Sequence, residues 1–113
     1  MSILTRVETL LFHDSEPTAQ QKTLVQEIVS LTSAKLLGKL PKGTQDVPAT
    51  LEYIVVEVSV KRFNRIGSEG MTTEEVEGHR MDFGQNDFAE FEEDIAKWID
   101  DQEDTSRKVL RFL

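Results

Sequence analysis

Apolar residues return every three or four positions in three stretches of this chain, and each stretch predicts a helix. Leu4, Val7, Leu10 and Leu11 mark the first, over residues 3–12, which runs into the polar turn His13-Asp14-Ser15. The second carries Leu24, Val25, Ile28, Leu31, Leu36 and Leu37 on a broad face. Thr18 with Gln21 three residues later forms a capping-box pattern, Pro17 suits the first turn, and Gly38 with Pro41 supplies the stop. The third holds Phe88, Phe91, Ile95, Trp98 and Ile99, over residues 87–102. There Asp87 and Glu90 are spaced to cap each other's backbone donors. Acidic Glu90, Glu92, Glu93 and Asp94 precede Lys97, the sense that the helix dipole favours.

Residues 48–63 read two ways. Val56, Val58 and Val60 alternate with Glu57, Ser59 and Lys61, the period of a half-buried strand. At helical spacing the same segment shows two stripes, Leu51-Ile54-Val55-Val58 and Tyr53-Val56-Val60-Phe63, which together describe a buried helix. Its length exceeds the roughly 3–10 residues of an ordinary strand, and Asp46 with Pro48 suits a helix start. Length favours the helix; pattern alone leaves the strand open.

Between the last two elements lies 64–84, NRIGSEGMTTEEVEGHRMDFG, a predicted loop holding four of the chain's six glycines. Loops beyond about 12–15 residues are uncommon in compact domains and are usually functional or disordered. Phe63 and Phe83 flank it and are placed to pin its ends. Residues 103–113 change character again. The acidic block Asp100, Asp101, Glu103 and Asp104 gives way to Arg107, Lys108 and Arg111, interleaved with Val109, Leu110, Phe112 and Leu113. At roughly 1.5–3 kcal/mol per fully buried large side chain, two of these apolar residues could anchor a partner. The expected organisation is a helical domain over 1–102 and a docking tail over 103–113.

At 113 residues with no cysteine, one domain with a modest core is expected, free of disulfides and thiolate metal sites, and this fits an intracellular origin. The N-terminal MSILTRVETLL carries Arg6 and Glu8 inside its apolar run and does not read as a signal peptide. No run approaches the roughly 20 apolar residues of a membrane span, so no membrane partner is expected. A net charge of −8, from 13 basic and 21 acidic residues, argues against a surface that grips nucleic acid.

Candidate chemistry is thin. His79 has Arg80, Asp82 and Ser68 near it in sequence, but nothing positions them and no G-x-S-x-G elbow is present. Gly67-Ser68-Glu69-Gly70 is followed by Met71 where a phosphate loop needs Lys, and Glu69 would repel phosphate. The acidic block at 100–104 lacks the spacing, central glycine and closing Glu of an EF-hand loop, and reads as a solvated helix end. No catalytic residue, metal or cofactor is expected.

The run Phe63-Asn64-Arg65-Ile66-Gly67-Ser68-Glu69-Gly70-Met71 resembles the signature of head–tail connector (adaptor, or head completion) proteins of long-tailed bacteriophages. In that family a similar R-x-G-S-E-G run ends a helix, and a segment with glycine, Ser/Thr and an aromatic follows. Val76-Glu77-Gly78-His79-Arg80-Met81-Asp82-Phe83 answers it here, with His79 where members often carry serine. The flanking helices are similar too, so the resemblance spans roughly residues 4–99. It implies a non-enzymatic, mostly α, small four-helix domain, with a long glycine-containing loop between helices 3 and 4 and room for a short β-hairpin near 72–83. It also resolves 48–63 as a helix. It further implies a ring, commonly of twelve subunits, between the portal and a stopper or tail-completion protein at the virion head–tail junction, assembled in the host cytoplasm. DNA would pass through its channel without specific binding. Arg65, Gly67, Ser68, Glu69, Gly70 and Gly78 are then the candidate interface residues, and Arg107, Lys108, Leu110, Arg111 and Phe112 the candidate portal contact. The alternative from another class is a small acidic helical regulator or inhibitor that binds a single protein partner and forms no ring.

Overall fold

The computed structural model describes the backbone of residues 2–69 and 86–111, and side chains within 2–66 and 86–103. Four helices, and no strand among the described residues, make up the molecule: α1 (Ile3–Leu11), α2 (Ala19–Leu37), α3 (Glu52–Glu69) and α4 (Glu92–Arg111). Single 3₁₀ turns, Ala49–Leu51 and Ala89–Phe91, lead into α3 and α4. The hairpin expected near 72–83 lies outside the described residues.

The start of α2 follows its sequence signature. The Gln21 N–H donates to Thr18 Oγ1 at 3.1 Å and the Thr18 N–H donates to Gln21 Oε1 at 2.8 Å, so both arms of the capping box form. The end of α2 falls where expected, with Gly38 as its C-cap. Gly38 stays right-handed (φ −64°) and the chain tightens through Lys39 N–H to Leu36 O and Leu40 N–H to Leu37 O. The left-handed glycine is Gly43 (φ 99°), at the third position of the turn 41–44 that the Thr44 N–H closes onto Pro41 O at 3.1 Å.

Helix α3 is the centre of the core. Leu51, Ile54, Val55 and Val58 pack with Leu36 and Leu40 and with Phe88, Phe91 and Ile95. Val56 packs with Val7 of α1 and Val25 of α2, and Ile66 packs with Leu24 and Ile28. Val55 and Val56 are consecutive and both buried, which a half-buried strand cannot do and a helix covered on two sides must. Phe63 joins the α1 side, its ring edge-on to Phe12 with centroids 5.6 Å apart.

Two boundaries differ from the sequence reading. The loop expected from Asn64 begins later, because α3 continues through Glu69. The helix expected at 87–102 starts later and runs longer: α4 begins at Glu92, and its backbone stays helical through Arg111, so 103–111 continue the helix. Among the described side chains, Trp98 and Ile99 are the last of α4 packed on the core, and 100–103 are all exposed. Twenty residues give α4 a length of about 30 Å, and the molecule measures 56 × 29 × 22 Å.

Candidate functional site

The last turns of α3 meet the lead-in to α4 at a buried ion cluster. Arg62 and Arg65 are three residues apart on α3, so their side chains leave the helix on one face. Asp87 faces them from the segment before α4. Arg62 Nε donates to Asp87 Oδ2 at 2.9 Å, while Arg65 donates from Nη2 to Asp87 Oδ1 at 2.6 Å and from Nη1 to Oδ2 at 3.4 Å, so both guanidiniums share Oδ2. Arg62 Nη1 also donates to Thr32 Oγ1 of α2 at 3.2 Å, tying three elements together. The Arg62 guanidinium lies 5.7 Å from the Phe88 ring centroid, and Lys39 Nζ lies 5.5 Å from the same centroid.

Both Arg62 and Asp87 are almost wholly removed from water, with side chains 2% and 3% exposed, while Arg65 keeps 27%. Burial pushes the Asp87 carboxyl up. The hydrogen bonds from Arg65 and Arg62, with their positive charges, outweigh it and hold the carboxyl below its usual range. The expected reciprocal cap between Asp87 and Glu90 does not form. Asp87 serves the two arginines, Glu90 accepts from Lys61 Nζ at 3.0 Å, and Asn86 braces the turn ahead of the 3₁₀ segment. Its Oδ1 accepts from the Phe88 N–H at 3.2 Å, and its Nδ2 donates to Glu92 Oε1 at 2.9 Å.

This arrangement performs no obvious chemistry. A carboxylate saturated by two guanidiniums is not a free base, and among the described residues no group of His, Asp and Glu could hold a metal ion. His13 is exposed beside Asp14, and His79 lies outside the described residues. No described helix is long and apolar enough to cross a membrane. What the cluster does is mechanical: it fixes both ends of the chain between α3 and α4 to each other and to α2. Residues 6–98 match the family described as Phage gp6-like head-tail connector protein. The chain belongs to that family. No curated protein matches it, and no solved structure matches it.

The match begins inside α1 and ends at Trp98, so the connector family covers nearly all of the described packed residues. Of the loop residues singled out in the sequence, Arg65 is on α3 and bound to Asp87, not in a loop. Gly67, Ser68 and Glu69 form the last helical turn of α3, and Gly70 and Gly78 lie outside the described residues. Arg107, Lys108, Leu110 and Arg111 fall on the helical backbone of α4, beyond the connector match, and Phe112 lies outside the described residues. The residues that sequence reasoning missed are Arg62, Asp87 and Thr32. Their only signal was two arginines on one helical face with an aspartate twenty-odd residues on, and that spacing does not say the three meet.

Proposed function

We propose that this connector protein is a virion subunit that assembles as a ring, of twelve copies, between the portal and the stopper or tail-completion protein, extending the channel through which DNA passes. The observation that carries the reading is the family match over residues 6–98. It involves no enzymatic step and no cofactor. The place of action is the head–tail junction of the virion, reached from the host cytoplasm during assembly.

A ring needs two different surfaces on each subunit that meet head to tail and close. In this reading Arg65, Gly67, Ser68, Glu69, Gly70 and Gly78 contribute to one of them. The Arg62–Asp87–Arg65 cluster supports that role, because it holds the two ends of the 70–85 segment at one fixed place on the body. Arg107, Lys108, Leu110, Arg111 and Phe112 form the portal contact. The helical backbone of α4 supports this by continuing to Arg111. The exposed carboxylates of Glu92, Glu93, Asp100 and Glu103 suit a wall that repels duplex DNA.

Negative-stain microscopy of the protein mixed with portal rings from its phage tests the reading. An added ring of density on one face of the portal is expected; a complex of fixed small stoichiometry without a ring overturns it in favour of a regulator. Deleting residues 106–113 is expected to abolish portal binding while leaving the helical content of the body in place. Undiminished binding by the deleted chain removes the tail from the proposal.

A further inference from the structure

The two ends of α2 lie in stretches of opposite charge. Residues 7–21 hold Glu8, Asp14 and Glu16 and no lysine or arginine, whereas residues 28–45 hold Lys35, Lys39 and Lys42 and no carboxylate. The dipole of α2 favours a cation in its last turn and accounts for Lys35. It does not account for Lys42, which stands well beyond Leu37, because the effect fades within one turn. Nineteen residues set the two ends of α2 about 28 Å apart.

The acidic end is a hollow and the basic end a knuckle. Glu8, Thr9, Phe12, Glu16 and Pro17 are among the walls of a groove between α1 and the turn into α2. Neither Glu8 nor Glu16 has an ion-pair partner among the described residues, while Asp14 is taken by His13 Nδ1 at 2.9 Å. The Phe12 ring stands edge-on to Phe63, so the groove lies toward the end of α3 that also carries Arg65 and residues 67–69. Past the other end of α2, Pro41, Lys42 and Gly43 are exposed in a turn closed twice on Pro41 O, by the Thr44 N–H at 3.1 Å and the Thr44 hydroxyl at 2.7 Å. The turn therefore presents Lys42 on a fixed backbone, and its ammonium has no ion-pair partner among the described residues. Lys39 is occupied over Phe88. Asp46, Asp94 and Asp101 stand toward the same end of the body, so the positive charge belongs to the tip of the turn and not to the whole end.

We infer that the turn at 41–44 of one copy seats in the α1–α2 groove of the next, its Lys42 ammonium meeting Glu8 and Glu16 and its apolar stem lying on Phe12 and Pro17. This contact rests on the ring reading and names the surfaces that touch in it. Ring closure needs two different surfaces on each subunit, and these two differ in shape and in sign and lie beyond opposite ends of one helix. A turn whose backbone is already fixed loses little freedom on docking. A lysine suits an apolar floor rimmed by carboxylates, because its methylenes bury while the ammonium stays at the edge.

Carbodiimide coupling joins an amine to a carboxylate only where the two touch, so the unaltered chain assembled on portal rings can be tested directly. The expected products are covalent dimers and longer ladders whose peptides link Lys42 to Glu8 or Glu16. With about 28 Å of helix between these groups in one copy, such a link forms only between copies. Exchange of charge gives a second readout. Lys42→Glu and Glu16→Lys, both at exposed positions, are each expected to raise the subunit concentration that half-fills the portal roughly three- to tenfold, the range for a screened pair turned from attraction to repulsion. An equimolar mixture of the two variants should recover the original value, since each reversed surface then meets its complement. Links between copies that all lie elsewhere, or charge reversals without effect, overturn this contact and leave the ring standing. A portal that gains no ring from the unaltered chain removes the ring and this contact together.

Discussion

The side chain that decides most about this molecule is Asp87. With Arg62 buried against it, removing the carboxylate leaves a guanidinium in the interior without its anion, a loss of about 3–5 kcal/mol for buried pairs. Asp87→Ala is therefore expected to lower the urea midpoint severely. Arg65→Ala should lose only about 1 kcal/mol, because that guanidinium is partly in water and Arg62 still holds the carboxylate. Equal shifts from the two substitutions would refute this division. The pH dependence has a definite sign. Asp87 titrates lower folded than unfolded, so its stabilisation is complete above about pH 4 and fades as pH falls through its depressed folded value. Arg65→Ala, which removes the first of the two lowering hydrogen bonds, should move that loss to higher pH. Tyr53 behaves oppositely. Its folded pKa of about 12 exceeds the ordinary 10, so its contribution is present below pH 10 and is lost as pH rises toward 12. As the only tyrosine, its phenolate absorbance can be titrated directly, and Asp94→Asn should bring the midpoint back toward 10. None of these pairings was readable in the sequence. Asp87 reads as a helix cap because caps are local, whereas the arginines that claim it lie 22 and 25 residues earlier.

At the scale of elements, the two glycines around the end of α2 hold opposite backbone conformations, and this predicts opposite signs. Gly38 is right-handed, and an added Cβ would meet Lys35 O at 3.4 Å, an ordinary contact. Gly38→Ala should stabilise by about 0.4–1 kcal/mol through the unfolded chain. Gly43 has open space around it but a φ of 99°. Gly43→Ala should destabilise by about 1 kcal/mol from backbone conformation alone. Thermal unfolding of the two variants checks the pair, and a shift in the same direction for both would contradict it. The helices themselves were legible, α2 to the residue at its cap, because capping boxes and apolar stripes are local signals. Their ends were less so. A glycine inside a helix costs about 1 kcal/mol, which argues for stopping α3 before Gly67. Arg65 bound to Asp87 and Ile66 packed on Leu24 and Ile28 hold the turn that Gly67 extends. Likewise Asp87, occupied by the two arginines, caps nothing, and a 3₁₀ turn over 89–91 leads into α4 at Glu92.

For the whole molecule, charge and its pairing are what the proposed channel-wall role depends on. Beside the excess of eight negative charges, several of the cations are already paired with carboxylates of the same chain. Arg6 reaches Glu52 at 3.7 Å, Lys61 reaches Glu90 at 3.0 Å, and Arg62 and Arg65 are locked on Asp87. Binding to duplex DNA through phosphates requires free Lys and Arg side chains that displace condensed counterions, and its strength falls steeply with salt. A channel wall needs the reverse, a surface that the duplex passes without adhering. The isolated protein is therefore expected not to shift labelled duplex DNA in a gel even at about 10 mM salt, where the screening length of roughly 30 Å lets every surface charge be felt. Converting the exposed carboxylates Glu92, Glu93, Asp100 and Glu103 to lysine together should create salt-sensitive binding, because these side chains face water and their replacement leaves the core intact. Retention of DNA by the unaltered subunit, with a steep salt dependence, would show that a cationic surface prevails over the acidic one, and the wall would then be something the duplex grips.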